Sequence, residues 1–324
     1  MKVLTHGDCD GVCSAAVVKM VYPDAEVYFT NPSRLLRDLK KMETADGLII
    51  CDIALNEGEW SLVFEEVKRL SSGFEALYVD HHPLPMDFPK RFKLGVRFYH
   101  REDVSASELV YMVFRERLDD SRREWAAMVA TYGAVSDYTD DTPPASEVLK
   151  MIDRRVLYLE SGLLTEALIF RRDSGFRRTV VEKLAGGVKP SQIPELPGYA
   201  MEALKLEYEV YEYVRRYTRR VGDIAVVTGL PYKGFLGKAA VYSAHVSDAR
   251  VGCAVALKDN RADLSLRTRD PRIDLNRVVR SLAKALGGRG GGHTNACGVE
   301  LPVGKVEDFL HMLNSSLPRA SETL

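Results

Sequence analysis

The chain has 324 residues, enough for about two domains. Its 46% hydrophobic and 28% charged residues exclude a wholly disordered, collagen-like or coiled-coil protein. Its 45 Lys and Arg stand against 46 Asp and Glu, and the net charge of -1 excludes a protein that coats nucleic acid by bulk charge, while leaving room for a local basic groove.

Strands and helices alternate through the first half, which predicts a parallel sheet with helices on both faces. Lys2–Thr5 reads as a short strand, residues 11–22 as a helix and Ala25–Thr30 as a second strand. A helix follows, with Ser33 as its expected N-cap. The continuous apolar run at 47–53 suits a strand buried on both faces. Residues 57–71 are helical and 76–80 form another buried strand. From about 105 to 185 the pattern is mainly helical, with an apolar stretch at 125–135. Gly186, Gly187, Pro190, Pro194, Pro197 and Gly198 mark a linker, and a polar, Tyr-rich helix runs from about 199 to 220. Beyond Gly222, strands are expected at 223–228, 251–257 and 262–268, then a helix at 275–285 and a Gly-rich loop at 287–292. The expected architecture is α/β. It has an N-terminal parallel-sheet domain with a helical extension (1–187), a linker with a helix (188–220) and a smaller mixed α/β domain (221–324).

No apolar run approaches the roughly 18 residues of a membrane helix. The start, Met1 to Val12, has no apolar stretch ahead of its acids, so no signal peptide, no membrane partner and a cytoplasmic location are expected. Cys9, Cys13, Cys51, Cys253 and Cys297 are scattered, which predicts reduced thiols. Cys9, Cys13 and Cys51 read as small buried thiols near the strand ends, with a redox-sensitive site as the sharper alternative. A single glutamine, Gln192, leans toward a heat-adapted source.

Acids and histidines fall at the strand ends. His6, Asp8 and Asp10 follow the first strand, Asp52 ends the third, and Asp80, His81 and His82 end the fourth. In an open parallel sheet these ends lie along one edge, where ligands bind. Clustered anions are costly unless a cation neutralises them. Carboxylate oxygens with imidazole nitrogens suit a divalent metal such as manganese. Asp137 ends a helical stretch and by itself reads as a surface acid, while Asp140 and Asp141 read as loop or capping acids near Pro143.

Taken in order, these motifs resemble the DHH phosphoesterase family, named for Asp-His-His, here Asp80-His81-His82. The first motif matches Thr5–Gly11, the second Asp52 and the fourth Asp137, and Ser105–Glu108 also fits. Ser265–Arg267, the glycine-rich 287–293 and Asn295–Gly298 resemble the DHH-associated domain. The resemblance implies two divalent ions, manganese first, with magnesium or cobalt as alternatives. One would be held by His6, Asp8 and Asp52, the other by Asp10, Asp52, His81 and Asp137, with Asp52 bridging. It implies that Asp80 orients a ligand and that His82 faces the substrate phosphate or helps protonate the leaving group. Arg267, Gly290, Gly291, Gly292, His293 and Asn295 would grip the substrate, Arg267 and His293 at the scissile phosphate, with Arg289 as an added charge for a second phosphate. Tyr138 to Asp141 replace the small Thr-Gly often found after the fourth motif, a change that falls on the substrate pocket.

A complete ligand set implies an active hydrolase, and the Gly-rich C-terminal part argues against the pyrophosphatase branch. Basic pairs at Arg171-Arg172, Arg177-Arg178, Arg215-Arg216 and Arg219-Arg220, with Tyr208, Tyr211, Tyr213 and Tyr217, favour the end of a nucleic-acid strand. The leading expectation is a RecJ-like 3′–5′ exonuclease on single-stranded DNA or RNA or short oligonucleotides, working with a DNA repair helicase or replication factor. One alternative is a phosphatase or phosphodiesterase acting on 3′-phosphoadenosine-5′-phosphate or a dinucleotide. The other is a replication or repair adaptor.

Overall fold

Successive residues of a strand point to opposite faces, so an apolar run can feed two cores at once. The computed structural model, which describes residues 1–71, 75–89 and 95–318, has this arrangement in its first half. The elements there are β1 (Lys2–Thr5), α1 (Cys9–Val21), β2 (Glu26–Phe29), α2 (Leu35–Lys41), β3 (Gly47–Cys51), α3 (Trp60–Ser71), β4 (Glu75–Asp80) and β5 (Arg97–His100). All five strands pair in parallel, in the order β2-β1-β3-β4-β5. Val3, Ile49, Leu77 and Val79 enter one core, and Leu4, Leu48, Ile50 and Tyr78 enter the other, against α2 and α3. Each such fully buried side chain contributes roughly 1.5–3 kcal/mol.

The helical extension covers the first of these cores. It comprises α4 (Ala106–Phe114), α5 (Asp120–Ser136), α6 (Pro143–Val148), α7 (Arg154–Phe170) and α8 (Ser174–Ala185). These helices enclose α1, every residue of which from Cys9 to Met20 is buried. That is why, apart from Asp10 and Lys19, α1 is apolar on all sides and built largely of small residues. The long helix α9 (Leu196–Tyr217) follows. Local chemistry starts the helices as expected. Asp8 caps α1, Ser105 with Glu108 forms a capping box on α4, and Asp119, Thr142, Asp153 and Asp173 cap α5 to α8.

The chain divides into two compact units, Met1–Ala203 and Leu204–Leu324, the division falling within α9. The second unit holds β6 (Arg219–Val221), β7 (Ile224–Thr228), α10 (Leu236–Val246), β8 (Val251–Lys258), β9 (Arg261–Thr268), α11 (Leu275–Ala285), β10 (Arg289–Gly292), β11 (Ala296–Pro302) and α12 (Val306–Ser316). Its sheet order is β10-β11-β9-β8-β7-β6, mixed because β7 and β8 are parallel and the other pairs antiparallel. Residues 319–324 of the expected second domain lie outside the described residues.

Three local expectations are corrected. Ser33 is not an N-cap: α2 starts at Leu35, and the Ser33 hydroxyl donates to Asn31 Oδ1 at 2.8 Å. The Gly-rich segment is not a loop, because residues 289–292 form the edge strand β10, paired to β11. The Tyr-rich helix stops at Tyr217, and Arg219–Val221 is a strand.

Candidate metal centre

The strand order reverses direction at β1, with β2 on one side and β3 on the other. A crevice opens at such a point beyond the strands' carboxyl ends. His6, Asp8 and Asp10 emerge there from β1 and Asp52 from β3, and Asp80, His81 and His82 follow at the end of β4. Asp137 arrives from the helical layer as the C-cap of α5.

Each carboxylate is held in a different way. Asp8 Oδ1 accepts from Gly11 N at 3.0 Å as the α1 cap, while Oδ2 accepts from His6 Nδ1 at 2.6 Å. Asp10 is fully buried, and its two oxygens accept from Ala106 N at 2.8 Å and Ser107 N at 2.9 Å, the first turn of α4. A helix N-terminus favours this charge. Asp52 is buried with a backbone φ of 56°, its N–H donating to Val79 O at 3.1 Å, and its Oδ2 makes no hydrogen bond among the described residues. Asp80 is buried and accepts from His82 Nδ1 at 2.9 Å.

His81 is the convergence point. Its Nε2 lies 3.4 Å from Asp137 Oδ2, 3.5 Å from Asp52 Oδ1 and 3.8 Å from Asp10 Oδ2. His6 Nδ1 is 4.0 Å from Asp52 Oδ2. Donor atoms of His6, Asp8 and Asp52, and separately of Asp10, Asp52 and His81, lie within 4.8 Å of one another. A third group joins Asp52, Asp80 and His82 on the same criterion. Asp52 belongs to all three.

The electrostatics match a cation site. Burial, then the charges of Asp8, Asp10, Asp137 and Asp80, push the Asp52 carboxyl well above its ordinary range. Burial, then Asp10 and Asp8, does the same to Asp137. Burial would raise Asp8 too, but His6 and the Gly11 N–H outweigh it and hold Asp8 low. Burial, then His82, lowers the His81 imidazole, which favours the neutral form that ligates metals. Burial works against a charged His82, yet Asp80 prevails and raises it. Two carboxylates driven toward protonation, one of them with an unmet buried oxygen, are what divalent ions relieve, so the donor set fits hard or borderline ions.

Two supports here escape a reading of the chain. A Cβ on Gly133 would sit 2.3 Å from Ser107 Oγ and 2.5 Å from Asp10 Oδ1, so α5 passes close behind the Asp10 carboxylate. His100 Nε2 donates to His82 O at 2.7 Å and fixes the backbone of the Asp-His-His segment. The only sequence signal for either was a glycine in an alanine-rich helix. All five cysteines are buried, and burial pushes the thiols of Cys13 and Cys51 up, the state of inert packing residues.

The expected substrate residues lie in the second unit. Arg267 Nη1 donates to Ser265 Oγ and Leu266 O, both at 2.9 Å. Gly290, Gly291 and Gly292 are in β10, and Gly292 N donates to Asn276 Oδ1 at 3.2 Å. His293 and Asn295 stand in the β10–β11 turn, where Thr268 N donates to Asn295 O at 3.0 Å. Arg280, on α11, also borders this strand, its Nε 3.3 Å from where a Gly291 Cβ would be. Arg289 is paired with Glu300 at 3.2 Å. Of the basic pairs, Arg171, Arg215 and Arg219 have acidic partners in Asp173, Glu212 and Glu307.

Comparison with known proteins places these features in a family. The model described as "DHH family, N-terminal domain" matches residues 2–133, and the model described as "DHHA1 domain" matches 236–318. No curated protein matches. Among solved structures, a DHH domain described as a member of the s1p family of ribosomal proteins aligns with a TM-score of 0.71 at 16% identity, over 97% of this chain and 85% of that one. RecJ in complex with Mn2+ from Thermus thermophilus aligns at 0.67 and 15% identity, over 97% of this chain, which spans 51% of that RecJ. A pGpG-specific phosphodiesterase from Vibrio cholerae aligns at 0.56 and 14% identity, over 98% and 99% of the two chains. No helix among the described residues is long and apolar enough to cross a membrane.

Proposed function

Since the chain belongs to the DHH family and carries a C-terminal DHHA1 domain, we propose that it is a metal-dependent hydrolase of phosphodiester bonds. The observation that supports this most is the convergence of three strand ends and α5 on the buried pair His81 and Asp52, the latter with a carboxylate oxygen that has no hydrogen bond among the described residues. His6, Asp8 and Asp52 would hold one ion, and Asp10, Asp52, His81 and Asp137 the other. Both Asp10 oxygens already accept an N–H, but each keeps a further lone pair for a metal. When bound, such ions supply Lewis acidity and lower the pKa of a water.

The protein's own groups do the rest. Asp80 fixes the His82 ring through Nδ1, and His82 would face the substrate phosphate or help protonate the leaving oxygen. Arg267, the glycines of β10, His293 and Asn295 supply a phosphate grip on the DHHA1 domain, Arg267 by its planar fork of donors. The substrate would be single-stranded DNA or RNA, or short oligonucleotides, degraded 3′–5′ with manganese. A repair helicase or replication factor would be the protein partner.

A dinucleotide is the second reading, favoured by the end-to-end alignment with a pGpG-specific phosphodiesterase. The deciding experiment incubates the protein and an Asp80→Ala control with manganese and 5′-labelled strands from a dinucleotide to about a 30-mer. Stepwise shortening of long strands from the unlabelled end is the expected result. Cleavage of dinucleotides alone transfers the assignment to the second reading, and no cleavage at any length removes the hydrolase reading.

A further inference from the structure

Gly7 lies in the β1–α1 loop between His6 and Asp8. A Cβ there would come within 2.5 Å of both Cζ and Nη1 of Arg177, so the guanidinium rests directly on this loop. Arg177 reaches it from the first turn of α8. Its Cζ also lies 5.7 Å from the ring centroid of Phe29, the last residue of β2. The side chain thus stands at the carboxyl edge of the sheet, beside the metal centre and within the same unit.

Its bonding is incomplete. Arg177 is half-buried, its Nε is buried, and that Nε makes no hydrogen bond among the described residues. Asp8 and Asp173 attract the guanidinium and Arg172 repels it, but none of the described acids forms an ion pair with it. Asp173 instead pairs with Arg171 at 2.5 Å. A buried donor left unmet is destabilising, and each such group calls for an explanation. Packing on Phe29 accounts for the stem and the ring face of the guanidinium, not for its donors. A planar fork of N–H groups beside a metal-ion site matches a phosphate.

We propose that Arg177 forms a second phosphate subsite, which takes the phosphate next to the scissile one in a nucleotide chain. This deepens the phosphodiester reading and rests on it. Arg172, exposed near Arg177, adds positive charge at the rim. Substrates carrying a phosphate beyond the scissile linkage bind more tightly than those that lack it.

The test measures binding rather than turnover. Dinucleotides with a hydrolysis-resistant phosphorothioate linkage carry a 5′-phosphate, a 3′-phosphate or neither. Their dissociation constants are measured on the manganese-loaded wild type, Arg177→Gln and Arg177→Lys, each checked for an unchanged melting temperature without ligand. One terminal phosphate is expected to tighten wild-type binding about tenfold, equal to about 1.4 kcal/mol. The gain shrinks to within about twofold in Arg177→Gln and is partly kept in Arg177→Lys, which retains charge but not the fork. The subsite is refuted if neither phosphate tightens the wild type, or if the gain survives in Arg177→Gln. If Arg177→Gln does not fold, Arg177→Lys takes its place, and an undiminished gain there counts against the subsite. A protein that shows the gain yet cleaves no strand refutes the hydrolase reading alone.

Discussion

Asp52 bears two costs at once. Its φ of 56° is left-handed, a conformation unfavourable by roughly 1–2 kcal/mol for a residue with a Cβ. Its carboxylate is buried among four other acids, which raise its pKa well above the ordinary range. A protein keeps such a residue when a ligand repays the cost. Asn tolerates the same backbone conformation, so Asp52→Asn removes the charge without disturbing the turn. In metal-free protein at neutral pH, the substitution should raise the melting temperature by a few degrees, because one repelling carboxylate is gone. If the proposed site is right, manganese should stabilise the wild type by mass action, and this gain should vanish in the variant along with hydrolysis. Thermal melts with and without the ion check both signs. A lower melting temperature in the metal-free variant, or an intact manganese shift, would show that Asp52 is not the shared ligand. Asp52 was legible in the chain because an acid ending a buried apolar run is a local signal. Arg177 was legible only as one of several arginine pairs, because its contact with Gly7 spans most of the first unit.

Elements bring the distant supports into place, and that is where reading the chain fell short. The capping box at Ser105–Glu108 announces the start of α4, but not that its first amides bind Asp10, which lies almost a hundred residues earlier. Gly133 looks like a flaw in α5, since glycine in a helix interior is less stable than alanine by about 1 kcal/mol. The structure reverses that expectation: an added methyl would overlap Ser107 Oγ and Asp10 Oδ1. Gly133→Ala should therefore destabilise the protein by about 1–3 kcal/mol, as overpacking does, although helix propensity alone predicts a gain. It should also weaken manganese binding, because Asp10 can only yield by leaving the α4 amides. Urea unfolding together with a metal titration decides the point, and a more stable variant with unchanged metal affinity would refute the packing account. The glycines at 290–292 misled in the opposite direction. They read as punctuation, but pairing with β11 supplies the ladder that holds them extended.

At the scale of the whole molecule, charge separates the two substrate readings. The net charge of -1 leaves nucleic-acid binding to local groups. Of the arginine pairs that favour a strand, Arg171, Arg215 and Arg219 are matched by acids. On the first unit Arg172, Arg177 and Arg178 have no acidic partner among the described residues, which makes them the cations available to follow a backbone there. Single-strand binding weakens with salt at a log–log slope of about -0.7 per neutralised phosphate, so three such contacts give about -2. A dinucleotide, with one or two phosphates to offer, gives about -0.7 to -1.4. The logarithm of kcat/KM should therefore fall about twice as steeply with the logarithm of salt for a 30-mer as for a dinucleotide. Replacing Arg178 with Gln should flatten the 30-mer slope and leave the dinucleotide slope unchanged. Equal, shallow slopes for both substrates would mean that no strand is tracked, and the enzyme would then be a dinucleotide phosphodiesterase whose remaining arginines serve only solubility.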